Sequence, residues 1–218
     1  MSPPTGLTLV EKSPINALRL GYLDAMTPAA RFVHIVRDGT DVTSSIQEKA
    51  AVTRRMALWP ALNDWWGVGD AKWSALVRDG VAAGYYSDEV GQLTTDAQRG
   101  AYEWLLSLRE VDAWRERLGS RLVELRYVDL IDDPRTTIAA VAESLGLSCS
   151  ADWLTQATSL VRRPAPRRPA EPLFLPRQMC ADFNGFQARF EFAGRAIARE
   201  QAGDPLMASH ADSSSWRG

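Results

Sequence analysis

Cysteine is scarce, and basic charge in bulk and long apolar runs are missing. The 218 residues include 2 cysteines, Cys149 and Cys180, whose separation matches no metal-ligand spacing. Both are expected to be reduced thiols of a cytoplasmic protein, and no metal is expected. Basic residues number 25 against 27 acidic ones, for a net charge of -2. No overall positive field therefore points to nucleic acid or to an anionic membrane as partner. An apolar stretch of the ~18 residues needed to span a bilayer is absent. The opening "MSPPTG" lacks the basic and apolar regions of a signal peptide. The phosphate-loop signature G-x-x-x-x-G-K-[ST] is missing as well. "GVGDAK" (67–72) mimics it only superficially, since it follows no strand and lacks the Lys-Ser/Thr ending.

What is present suits one domain, assigned to residues 1–203, with 204–218 as a disordered tail. Apolar residues make up 45% of the chain, enough for a core, and tryptophan is abundant at 8. "LTLV" (7–10) reads as a short buried strand. "INALRLGYLDAM" then sets Ile15, Leu18, Tyr22 and Met26 at helical spacing. Phe32, Val33, Ile35 and Val36 read as a second buried strand, followed by a helix from about Asp38 to Lys49. Residues 50–94 read as irregular to weakly helical and rich in aromatics. A long helix is expected over 95–117, then a strand in "RLVELRY" (121–127). Asp133 as cap and Pro134 at the first helical position open a helix that stops at Gly146. A helix near 151–161, a proline-rich stretch without regular structure and a last helix over 180–201 complete the reading. Strands alternating with helices predict an α/β fold: a parallel sheet flanked by helices.

The informative stretch is "RFVHIVRDGTDVTSSI" (31–46). Ligands of open parallel sheets gather beyond the carboxyl ends of the strands, and Arg37 stands at such an end. The next helix aims its N-terminal N–H groups at the same crevice. Ser45 follows eight residues after Arg37, within reach of the same anion. An arginine fork, a hydroxyl and a helix N-terminus together suit a phosphate monoester. The competing reading pairs Arg37 with Asp38 or Asp41 and leaves Ser44 and Ser45 to solvent.

"EKSPINALRLGYLDAMTPAARFVHIVRDGTDVTSSI" and "RYVDLIDDP" together resemble sulfotransferases that use 3'-phosphoadenosine-5'-phosphosulfate (PAPS). That family shows a strand ending in Glu-Lys-Thr/Ser-Pro, a strand ending in Val-Arg-Asp with a serine eight residues on, and a strand ending in Tyr-Glu-Asp-Leu before an Asp-Pro helix. Val128 stands where the usual glutamate would be. The resemblance covers about residues 7–147 and implies a P-loop-NTPase-like sulfotransferase fold, truncated at its N-terminus. It implies sulfuryl transfer from PAPS to a hydroxyl or amine of a small-molecule or glycan acceptor, with no metal. By the same resemblance Arg37 and Ser45 hold the donor's 3'-phosphate, with Tyr127 and Ser13 beside the nucleotide. Glu11 is the implied base, and Lys12 contacts the leaving phosphate. Arg162 and Arg163 fall where relatives carry a late basic segment over the nucleotide; a solvated basic loop is the other reading of that cluster. Trp59, Trp65, Trp66 and Trp73 either line an acceptor pocket or simply pack.

One family element is absent from the sequence. The Gly/Ser/Thr-rich loop that wraps the 5'-phosphosulfate should lie well upstream of Glu11, where only ten residues stand. Three explanations are open: a misassigned start, a remnant with little transferase activity, or a partner chain, a second copy among the candidates, that supplies the surface. An incomplete sheet is expected to expose an edge or an apolar face, which favours self-association.

Overall fold

A computed structural model describes residues 9–55, 65–164 and 171–199. Trp59, Arg167, Arg168 and the expected tail lie outside them.

A 3-10 turn over Pro14–Arg19 leads into helix α1 (Leu20–Met26). Strand β1 (Phe32–Val36) follows, then α2 (Gly39–Arg55), α3 (Ala71–Ala82) and α4 (Asp96–Leu118). Strand β2 (Leu122–Arg126) runs directly into α5 (Tyr127–Asp132), with α6 (Pro134–Ser144) and α7 (Ala151–Leu160) behind it. Beyond the proline-rich stretch come β3 (Phe174–Leu175), α8 (Arg177–Arg189) and β4 (Ile197–Ala198).

Strands β1 and β2 pair in parallel, with Phe32 opposite Leu122 and Val36 opposite Arg126. That register brings Arg37 and Tyr127, the residues just past each strand, to the same end of the sheet. A second, separate parallel pair joins β3 to β4.

The core forms around α4. Thr95 caps this helix in a reciprocal box with Gln98, whose amide also donates to the Phe174 carbonyl at 2.8 Å. Ala101, Tyr102 and Leu105 of α4 are fully buried, as are Leu175, Met179 and Phe183 near α8. Gly100 lets α2 come close, because a methyl group there would lie 3.2 Å from Ile46.

Several sequence expectations need correction. Of the strand read at 7–10, residues 7 and 8 lie outside the described residues; Leu9 and Val10 are 90% and 83% exposed and pair with no strand among the described residues. The run in β1 is buried on one face only. Val36 is buried, whereas Val33 and Ile35 face outward at 40% and 51% exposure. A parallel sheet buries both faces only where helices cover both, and among the described residues this face is half open. The Ile15, Tyr22 and Met26 stripe is exposed, and Leu20 and Asp24 are buried instead. Two causes act there. The initial 3-10 turn advances the chain at ~3.0 residues per turn rather than ~3.6 and so rotates the face. Arg117 and Arg121 also bind the Asp24 carboxylate at 3.0 and 2.7 Å and draw that side inward. Helix α3 is a regular helix within the stretch read as irregular to weakly helical. The last helix ends at Arg189, not near 201, because Glu191 adopts φ 57° and Phe190 and Phe192 turn into the core. Cys149 and Cys180 are free thiols.

Candidate nucleotide-binding site

The carboxyl ends of β1 and β2 present Arg37 and Tyr127 together. The Arg37 guanidinium carbon lies 5.2 Å from the centre of the Tyr127 ring, a cation–π contact. Arg37 also donates from Nε and a terminal nitrogen to Asp41 Oδ2, at 3.1 and 2.8 Å. Asp41 sits in the first turn of α2, and partly buried Ser45 stands one turn farther along the same face. The pairing of Arg37 with Asp41 named as the competing reading is thus present, beside the tyrosine that the resemblance placed at the nucleotide.

The turn between Arg37 and α2 is held from the far end of the chain. Asp38 caps α2: its Oδ1 accepts from the Thr40 N–H at 2.8 Å and from the Thr40 hydroxyl at 2.7 Å. Gln187, fully buried in α8, donates to Asp38 Oδ1 at 2.8 Å and accepts from the Gly39 N–H at 2.9 Å. The Arg37 carbonyl accepts from the Trp104 indole at 3.1 Å. Gly39 is required by this crowding, since a Cβ would lie 2.7 Å from Phe183. Burial raises the Asp38 carboxyl, but the hydrogen bonds from Thr40 and Gln187 outweigh it and leave it below its ordinary value.

This clamp corrects one expectation. The first two N–H groups of α2 are not open to an anion, because Gln187 and Asp38 already accept from them. An anion at this end of the sheet relies on side chains.

Arg126, the last residue of β2, grips Asp129 through two hydrogen bonds at 2.9 and 2.7 Å and reaches Glu191 at 2.6 Å. Arg163 binds Asp132 at the end of α5, at 2.8 Å, and Arg162 is exposed. Arg163 therefore lies against the helix that Tyr127 begins. Glu11 and Lys12 are exposed outside regular structure, and Glu11 accepts a hydrogen bond from Asn16. Ser13 precedes the 3-10 turn without capping it through its side chain. Among the described residues, no hydrogen bond or ion pair links Glu11 or Lys12 to Arg37.

Two adjoining cavities lie along another side of α2. The larger, about 600 Å³, is walled by Trp66, Asp70, Asp96 and Arg99 among others; the smaller measures about 180 Å³. Of the tryptophans read as pocket wall, Trp66 touches the larger cavity, while Trp65 and Trp73 pack against the core.

A family model described as "Sulfotransferase family" matches residues 2–151. The chain belongs to the sulfotransferase family. No curated protein and no solved structure matches it. The span shared with other sulfotransferases takes in Glu11, Lys12, Ser13, Arg37, Ser45 and Tyr127 and stops before Arg162 and Arg163. It also stops before Gln187, the residue that locks the turn of this sulfotransferase. The Asp38 cap has a local signal, an aspartate directly before the first residues of a helix. Gln187 carries no local signal, because its partners are distant in sequence. The described residues hold no cluster of His, Cys, Asp or Glu fit for a metal ion, and no helix long and apolar enough to cross a membrane.

Proposed function

We propose that this sulfotransferase takes its sulfuryl group from PAPS and delivers it to a hydroxyl or amine acceptor. The observation that carries the reading is the meeting of Arg37 and Tyr127 at the carboxyl end of a parallel sheet, inside the matched family span. The 3'-phosphate docks on the Arg37 guanidinium and the Ser45 hydroxyl, with Tyr127 against the nucleoside. Asp41 must yield its place. Arg37 and Asp41 form an i,i+4 pair with side chains 25% and 46% exposed, and such pairs are worth only about 0.3–0.5 kcal/mol. A bidentate, charge-assisted contact to a dianion is stronger, so the exchange is favourable.

The remaining roles follow the same reading. Glu11 leaves Asn16 to take the proton of the attacking hydroxyl, and Lys12 offsets charge on the departing 5'-phosphate. The acceptor oxygen attacks sulfur in line, as in phosphoryl transfer, and positioning does most of the catalysis. Ser13 borders the nucleotide, and Arg162 and Arg163 close over it.

Calorimetry with 3'-phosphoadenosine 5'-phosphate tests the site. Arg37→Ala should weaken binding by at least about tenfold, the equivalent of ~1.4 kcal/mol; equal affinity in that variant overturns the assignment. A second reading, a nucleotide-binding module without transfer, is favoured by the exposure of Glu11 and Lys12. Transfer of labelled sulfate from PAPS to any member of an acceptor panel would exclude it.

A further inference from the structure

Two unpartnered features of the chain fit each other. Among the described residues β1 pairs with β2 alone, so the backbone N–H and C=O groups along its other edge have no strand partner. No proline, lysine or glutamate guards that edge, and its Val33 and Ile35 side chains are exposed. Such an apolar edge is a template for another strand. The second feature is the segment Leu9–Lys12, whose Leu9 and Val10 are both open to solvent. In its own chain this segment is tied to the 3-10 turn, where Glu11 accepts from Asn16, and it stays off β1.

The sequences also fix how the two join. The sheet is parallel, and residues opposite each other on neighbouring strands share one side of the sheet. With Leu9 opposite Ile35, Val10 falls opposite Val36, Glu11 opposite Arg37 and Lys12 opposite Asp38. Leu9 then covers the more exposed of the two outward residues, and each charge meets its opposite at the strand end. A slip of one residue in one direction sets Lys12 opposite Arg37; in the other it sets Glu11 opposite Asp38. Like charges directly opposite each other are destabilising, so both slips are disfavoured.

We infer that two copies of the chain exchange these segments: Leu9–Lys12 of each copy forms a parallel strand on the free edge of β1 in the other. Every copy carries both the strand and the edge, and an identical element exchanged about a two-fold axis closes a dimer at low cost. The exchange brings Glu11 and Lys12 of the partner copy to the end of the sheet where Arg37 and Tyr127 stand. Within one chain, no hydrogen bond or ion pair among the described residues links either of them to Arg37. The exchange stands on exposure and charge alone; the use of these two residues in transfer rests on the PAPS reading above.

Sedimentation equilibrium of the full chain tests it. A mass of about twice the single chain is expected at micromolar concentration. Leu9→Asp should raise the dissociation constant at least about tenfold, ~1.4 kcal/mol. Its far-UV circular dichroism should not change, because Leu9 is exposed in the single chain. For the register, a Leu9→Cys chain is mixed with an Ile35→Cys chain, both carrying Cys149→Ser. Mild oxidation should join the two chains by a disulfide, and Leu9→Cys mixed with Val52→Cys, an exposed position on α2, should not be joined. The inference is overturned by a parent that sediments as a single chain or by a dimer indifferent to Leu9→Asp. It is equally overturned by no cross-link between positions 9 and 35, or by an equal one between 9 and 52. None of these readouts uses nucleotide, so failure of the exchange is distinguishable from failure of the Arg37→Ala calorimetry.

Discussion

The Arg37 guanidinium lies over the ring of Tyr127, with 5.2 Å between its central carbon and the ring centroid. The two residues come from different strands and meet because Val36 and Arg126 are partners in the parallel register. The ring holds the guanidinium at the sheet end while Asp41 satisfies two of its N–H groups. Arg37 is therefore held between the Tyr127 ring and the Asp41 carboxylate.

Asp41→Asn follows from that arrangement. Removing the competing charge should tighten 3'-phosphoadenosine 5'-phosphate binding by no more than about fivefold, the ~1 kcal/mol upper range of an exposed ion pair. Arg37→Lys should weaken it, because an ammonium lacks the planar fork. Isothermal titration of both variants checks the pair of signs; tighter binding by the lysine variant would contradict the docking role.

Gln187→Leu should destabilise the fold. The change leaves the buried Gly39 N–H without its acceptor, at a cost of about 1–3 kcal/mol, and removes one donor from half-buried Asp38. Urea denaturation should show a lower midpoint with little change in slope. Nucleotide affinity should fall as well, since the Arg37 turn loses its brace.

Gly39→Ala meets Phe183 at 2.7 Å and Trp104 at 3.1 Å. Overpacking of this kind costs about 1–3 kcal/mol. Thermal unfolding should begin several degrees lower than in the parent. Gly69→Ala meets nothing within 4 Å, but its φ of +59° strains any side chain. Its smaller loss would separate crowding from backbone strain.

Acid should loosen the sheet through Glu124. On β2 it faces His34 of β1 at 2.9 Å and Arg115 of α4 at 2.7 Å, with Asp112 and Arg189 alongside. Burial raises its carboxyl, but the hydrogen bonds from His34 and Arg115 prevail and carry it from 4.5 down to about 2. A depressed folded value means that the stabilisation is full above about 4.5 and is lost as pH falls towards 2. Denaturation midpoints should drop across that window, and Glu124→Gln should flatten the dependence there. An unchanged acid profile in that variant would remove Glu124 as the cause.

Local chemistry made much of the chain legible. Pro134 after Asp133 announced α6, and the Asp133 side chain does accept from the Thr136 N–H at 3.1 Å. The apolar runs gave β1 and β2, and the Arg-Asp-Gly stretch marked the end of β1 and the start of α2. Other features could not be read along the chain. Leu9 and Val10 have the composition of a strand, yet a strand exists only where a neighbour pairs with it, and among the described residues none does. The helical stripe at Ile15, Tyr22 and Met26 was overridden by Asp24, whose two arginines lie on α4 and just after it.

The sequence by itself determined β1, β2, α2, α4 and α6, which family the chain resembles, and that Arg37 stands at a strand end. Those features depend on residues close together in the chain, through capping, turn chemistry and periodicity. Only the tertiary structure decided that Tyr127 lies under Arg37, that Gln187 occupies the first N–H of α2, and that two cavities lie along another face of that helix. Each of these joins groups far apart in sequence. Such contacts arise from parallel register and from the packing of α8 against α4 and the turn before α2, which no local pattern encodes.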